Sequence, residues 1–333
     1  GVTLESSTGF LGYHAGSHGT ATVTSGTWSN TGSLFVGYQG TGDLTVGEEG
    51  TVSTTTLYAS LNHLHGSGVI EANGAVLDGT LVFDETHGLQ QTIAFGSGGE
   101  LQLDVNGNGA LGAGYQEVGV LRITDEMTVS SRIGYFGSRV GSSGTGIITS
   151  GTWYNSGSLF VGVAGEGHLQ IDSGLVTSAA GWVGVEATGE GHVSVTSGTW
   201  KSTGGVHIGS GGTGTLDIDE GYVESGSTLT DATYVGAGEG SVGSVTITSG
   251  TWQNTGELYI GQLGEGSVTI TDGLFDQRLG NSYIGQNAYV SFEGAVGTVT
   301  VTSGTWQNGG DLYIASGEDH SLTVTDGKVT AKT

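Results

Sequence analysis

The chain of 333 residues carries 68 Gly, no Pro, no Cys and a formal net charge of −25, from 32 acidic against 7 basic side chains. Without Pro or Gly at every third position it is not collagen, and without Cys it has no disulfide, thiolate metal site or Cys nucleophile. The scattered basic residues (Arg122, Arg132, Arg139, Lys201, Arg278, Lys328, Lys332) exclude a nucleic-acid groove, and no apolar run reaches the ~18 residues of a membrane span.

Six Trp, twelve Tyr and 35% apolar residues exclude a disordered acidic tail. The predicted elements are strands throughout, in three stretches. Residues 1–52 open with Gly1-Val2-Thr3-Leu4 and Phe10-Leu11-Gly12, then Ser25-Gly26-Thr27-Trp28 and Phe35-Val36-Gly37. Residues 53–118 are irregular, with strand-like Val69-Ile70-Glu71-Ala72, Thr80-Leu81-Val82-Phe83 and Glu100-Leu101-Gln102-Leu103-Asp104-Val105. These read as less regular turns with longer loops. Residues 119–333 hold the regular repeats.

The repeat has two markers. Ser-Gly-Thr-Trp recurs with its Trp at Trp28, Trp153, Trp200, Trp252 and Trp306. A shorter signal, an aromatic or His followed by an aliphatic and Gly, recurs at Phe160-Val161-Gly162, Trp182-Val183-Gly184, His207-Ile208-Gly209, Tyr234-Val235-Gly236, Tyr259-Ile260-Gly261 and Tyr283-Ile284-Gly285. Its spacing defines a unit of about 25 residues in which Trp marks every second unit. Within a unit the period is two, as in Gly266-Ser267-Val268-Thr269-Ile270-Thr271.

Three short strands per unit cannot bury their inward side chains alone, but stacking builds a continuous narrow core. The expected fold is therefore all-β: a parallel β-helix, or β-solenoid, of roughly 13 turns and roughly 60 Å at ~4.8 Å per turn. Gly suits the corners because it takes positive φ without penalty. The absence of Pro fits strands that donate hydrogen bonds on both sides. The repeat reads as one identical unit rather than as a hairpin.

The units Ser-Gly-Thr-Trp-x-Asn-x-Gly-x-Leu-Tyr-Ile-Gly and Gly-x-Gly-x-Leu-x-Ile resemble the repeats of bacterial surface proteins of the autotransporter-passenger type. So does the stretch from Leu61 to Gly114, with Phe83-Asp84-Glu85-Thr86-His87-Gly88-Leu89-Gln90-Gln91. The resemblance implies a right-handed β-helical stalk at a cell surface. It implies no particular activity, because members share a scaffold rather than a reaction.

Candidate chemistry follows the repeat. Glu166, Glu190 and Glu265 share one Gly-Glu-Gly turn, and Asp172, Asp219, Asp272 and Asp326 share the position after the alternating strand. An active site breaks a repeat, so these carboxylates read as structural. The four Asp are also the calcium candidates, should they stack as a column. His63 and His65 are the one close His pair and read as surface residues. Asn30, Asn155, Asn254 and Asn308 follow Trp by two and share its face, where amides can ladder. By strand parity Phe35, Phe160, Tyr234, Tyr259, Tyr283 and Tyr313 form an outward aromatic stripe, suited to ladder stabilisation or to a lateral contact.

Opening at Gly1, the chain reads as a processed or excised product, and its two ends read as halves of one unit. Val2, Leu4, Leu322, Val324 and Val329 are the expected junction of an end-to-end stack. The expectation is a non-enzymatic, secreted structural protein without cofactor that assembles with itself into an extracellular filament or matrix fibre. A passenger-type adhesin stalk is the second reading. A glycan-binding or glycan-active β-helix is the third, and it requires a non-repeated cleft, expected within 53–118.

Overall fold

The computed structural model describes residues 1–285, 295–315 and 319–331; Lys332 lies outside them. The chain winds as a β-solenoid of about 13 turns, with about 24 residues per turn. A representative turn has three strands, Thr251–Asn254, Leu258–Ile260 and Glu265–Ile270. In each, alternate side chains point inward: Trp252 and Asn254, then Leu258 and Ile260, then Val268 and Ile270. The period of two in the sequence is thus the alternation between core and surface.

Along the regular array each strand lies parallel to its counterpart one turn away, and the register places apolar on apolar. Trp252 faces Val223 and Phe275, Tyr259 faces Tyr234 and Tyr283, and Val268 faces Val245 and Val299. We refer to the three faces by these residues, as the Trp, ring and valine faces. Large rings on the Trp face mostly alternate with aliphatics, as in Trp153, Val176, Trp200, Val223 and Trp252. A layer filled by an indole leaves room for only a smaller neighbour.

The corner after most ring strands is glycine. Gly162, Gly184, Gly209, Gly236 and Gly261 have φ between 67 and 73°, and a Cβ at Gly162 would collide with the carbonyl of Glu190 one turn on. Both the left-handed backbone and the close approach require Gly there. The corner between the valine and Trp faces is different: Ser150, Ser173, Ser197 and Glu220 take φ of 57 to 59° with side chains attached. That conformation costs roughly 1–2 kcal/mol for an L residue. Glu220→Gly is therefore expected to raise stability by about 1 kcal/mol, read as a higher urea midpoint at unchanged slope.

The stretch 53–118 departs from the repeat in three ways. A short 3-10 helix, Leu61–His63, replaces one glycine corner. In the next turn Ala75–Phe83 runs as one strand through the corner with no loop. Then comes a hairpin that the repeat gave no reason to expect: Gln90–Phe95 pairs antiparallel with Gly99–Asp104, turning through Gly96 and Gly98 at positive φ. Gly99–Asp104 takes the parallel place beside Val69–Ala72, so its other edge is occupied by Gln90–Phe95. The Trp face is consequently split into two sheets, and the second runs from Thr128–Ser131 to Lys328–Ala331. The ring and valine faces continue across the split through the pairs Ala110↔Ile133 and Val118↔Ser143.

The core has a polar inner stripe beside the Trp column. Asn254 is fully buried and fully bonded. Its amide donates to Gln277 Oε1 at 2.7 Å and to the Gly256 carbonyl at 2.9 Å, and its oxygen accepts from Ser225 at 2.7 Å and Thr233 at 2.8 Å. The Asn residues do share the Trp face, but they do not ladder on one another. They fall in different turns, and Ser or Gln fills the places between, as in Ser131↔Asn155 and Ser225↔Asn254↔Gln277↔Asn308.

Candidate functional site: the ring face, its break and the end turns

The ring strands build the most extended surface feature. Phe10, Phe35 and Tyr58 stack at 5.1 and 4.4 Å. Tyr135 and Phe160 stack at 5.2 Å, and Phe160 passes to Trp182 at 6.4 Å. From Trp182 the series runs through His207 at 3.9 Å, Tyr234 at 5.0 Å, Tyr259 at 5.1 Å, Tyr283 at 4.8 Å and Tyr313 at 5.0 Å. Phe160, Tyr234, Tyr259, Tyr283 and Tyr313 of the outward set read from the sequence lie in one stacked series, whereas Phe35 belongs to the shorter one before the break. That set missed Phe10, Tyr58, Tyr135, Trp182 and His207, although Phe10, Trp182 and His207 carry the same three-residue signal.

Stacking covers the ring faces with one another, so along the regular array the solvent meets mainly edges and hydroxyls. Burial between Trp182 and Tyr234 lowers the His207 pKa to about 4. Burial, with the Glu257 carboxylate that accepts a hydrogen bond from its hydroxyl, pushes the Tyr259 pKa well above that of an ordinary tyrosine. Neither group changes charge near neutral pH, which suits a structural ladder.

The ladder breaks in the irregular turns. Between Tyr58 and Tyr135 the ring position is held by Val76 and then Gly112, so the two phenols lean together and meet at 6.0 Å and 68° instead of stacking. The missing corner loop leaves space beside them. Tyr115 fills part of it from a later turn, with its hydroxyl donating to the Gly37 carbonyl at 2.9 Å. The buried Asp78 carboxylate holds the Tyr115 and Gln116 amides at 2.6 and 3.1 Å. Burial raises the Asp78 pKa, partly offset by those amide bonds, and raises that of Tyr115 to about 12. Arg139 lies over the rings of Tyr38 and Tyr115, 4.7 and 5.2 Å from their centres. What remains open is a hollow of about 450 Å³. A second hollow, of about 500 Å³, lies over the hairpin and is lined by Glu71, Gln90, Gln102 and Asp104.

The valine face carries Asp43, His65, His168, His192, Asp172 and Asp219. Asp172 closes its strand, and Asp219 accepts from Ser249 at 2.8 Å. The four Asp do not form a calcium column. They do not even share one register position: Asp172 and Asp219 align with Thr196, Thr248, Thr271 and Thr302, whereas Asp272 and Asp326 lie one residue further on and align with Ser249 and Ser303. Within each pair an intervening turn sets the carboxylates roughly 10 Å apart along the axis. Calcium needs its oxygens at about 2.3–2.6 Å. Among the described residues no group of three or more His, Asp or Glu is arranged to hold a metal ion. His63 and His65 do come together, donating to Asp43 Oδ1 at 2.8 and 3.1 Å, while His18 Nε2 lies 3.3 Å from Oδ2. Those bonds from His63 and His65 hold Asp43 below the usual carboxylate range, so their support is present at neutral pH and is lost as pH falls through that lowered value.

At the end turns, Val2 is 83% exposed, Leu4 58% and Val324 43%. Leu322 and Val329 are half-buried, packed against the last core layer. Comparison with known families, with curated proteins and with solved structures finds no match to this chain. The fold itself defines the class: a β-solenoid repeat protein.

Proposed function

We propose that this chain is a structural rod of an extracellular filament or matrix fibre, assembling end to end with further copies and carrying out no chemistry. The supporting observation is the register. Each turn lies in register on the next with like residues opposed, so a solenoid segment presents complementary strand edges at its two ends. An added turn would bury Val2, Leu4 and Val324 and continue the Leu322 and Val329 columns, joining copies by β-augmentation. A contact of this kind does not close on itself and gives an open filament. The stacked ring face and the carboxylates, spread along the repeat, fit a scaffold better than a reaction centre.

Electron microscopy of the purified chain tests this. Long fibres are expected, and they should disappear when residues 321–331 are removed or when Leu4→Lys places a charge on the first edge. Circular dichroism should show that both variants keep their strands. Single rods of about 60 Å for the unaltered chain would overturn the filament and leave the cell-surface stalk as the reading.

A further inference from the structure

We infer that the hollow at the break in the ring ladder is a binding site for a neutral hexopyranosyl unit of a glycan. The inference is independent of whether the rod polymerises. About 450 Å³ lies within the ordinary range of small-ligand pockets, and its walls combine apolar surface with a few convergent polar groups. Phe35, Tyr38 and Tyr135, each partly exposed, supply the apolar side over the buried Tyr58 and Tyr115, and Ser138, Arg139 and Glu186 supply the polar side.

Two observations single out this hollow. Ser138 is among its lining residues, and the Ser138 Oγ beneath that lining is buried and has no hydrogen-bond partner among the described residues. Such a group is costly to leave unmet unless something brings an acceptor or donor to it. Arg139 is the second. Its guanidinium has five donors, of which one is used by a side chain, Nη2 to the Tyr115 hydroxyl at 3.2 Å. It forms no ion pair among the described residues. In a chain with 32 carboxylates, a cation held against two tyrosine rings and in no ion pair is available to a ligand.

A pyranose fits these groups. Its C–H face packs on aromatic rings, and its hydroxyls both accept from a guanidinium and exchange bonds with Ser138 and Glu186. The charge favours a neutral sugar over an acidic one, because Glu186 lines the same hollow and the whole chain carries −25. The hollow occurs where the repeat is lost, so it is present once per chain and not once per turn.

The test is titration of the full chain with maltohexaose, cellohexaose, chitohexaose and tetragalacturonate, read by saturation-transfer NMR and calorimetry. At least one neutral oligosaccharide should bind at micromolar to millimolar concentration. Arg139→Gln and Ser138→Ala should each weaken it about tenfold or more, equivalent to about 1.4 kcal/mol. Circular dichroism and the melting temperature must be unchanged in at least one variant, and Glu186→Gln serves as a third if neither qualifies. Three results would overturn the assignment: no binding of any neutral probe, binding of tetragalacturonate alone, or neutral binding that survives substitution in a folded variant.

Discussion

Replacing Trp252 by alanine is expected to cost about 3–5 kcal/mol, the range for deleting a fully buried aromatic. Trp252 has no exposed surface, its Nε1 donates to Ser225 at 3.0 Å, and its ring stacks on Phe275 at 4.5 Å. The narrow core offers little room to collapse around the gap, because the same strands are pinned by the turns above and below. Trp28 is the control. It occupies the equivalent inward position in the first of the two Trp-face sheets and donates to Ser6 at 3.1 Å, but it is only half-buried near the first turn. Trp28→Ala should cost distinctly less. Urea unfolding of both variants, followed by circular dichroism, measures the difference; equal losses would mean that the column does not carry the stability assigned to it.

The second large effect is one of pH. His207 is clamped between Trp182 and Tyr234 and titrates at about 4 instead of 6.5, because burial disfavours its charged form. The unfolded chain therefore takes up a proton between those two values while the folded chain does not. The sign follows directly: this residue's contribution is complete above about pH 6.5 and declines as the pH falls to about 4, by up to about 3 kcal/mol. His207→Phe keeps a flat ring in the stack and removes the proton-binding group. Comparing urea midpoints at about pH 7 and about pH 4.5, the unaltered chain should lose markedly more stability than the variant. Parallel losses would show that the acid sensitivity lies elsewhere, as at Asp43.

Much of the architecture was legible because a solenoid writes its geometry into the chain. Alternation in Gly266 to Thr271 marks inward and outward side chains, and the recurring Gly after the ring strand marks the corner. The hairpin was not legible, because Gln90–Phe95 alternates like any other strand and only the pairing reveals its reversal. The hollow was not legible: a cleft was expected within 53–118, yet of the hollow's lining residues only Tyr58 and Tyr115 fall there. It depends on Tyr115 reaching back to Gly37 and on Arg139 covering both Tyr38 and Tyr115, contacts with no repeat to announce them. The serines beneath the indoles were a missed signal. Ser131, Ser178 and Ser225 occupy, one turn earlier, the position that Asn takes after Trp, and they accept from Trp153, Trp200 and Trp252.

The in-register stack also governs how the chain finds its shape. Pairing connects each strand to one a single turn further along, so the loop closed at every step keeps the same length however many turns already stand. The entropy of closure is then constant per step and does not grow with the size of the rod. Folding can start wherever neighbouring turns first hold together and spread outward like a zipper. The sequence separation that makes most β-proteins slow is here fixed at one circuit, which lets length increase without a matching kinetic penalty.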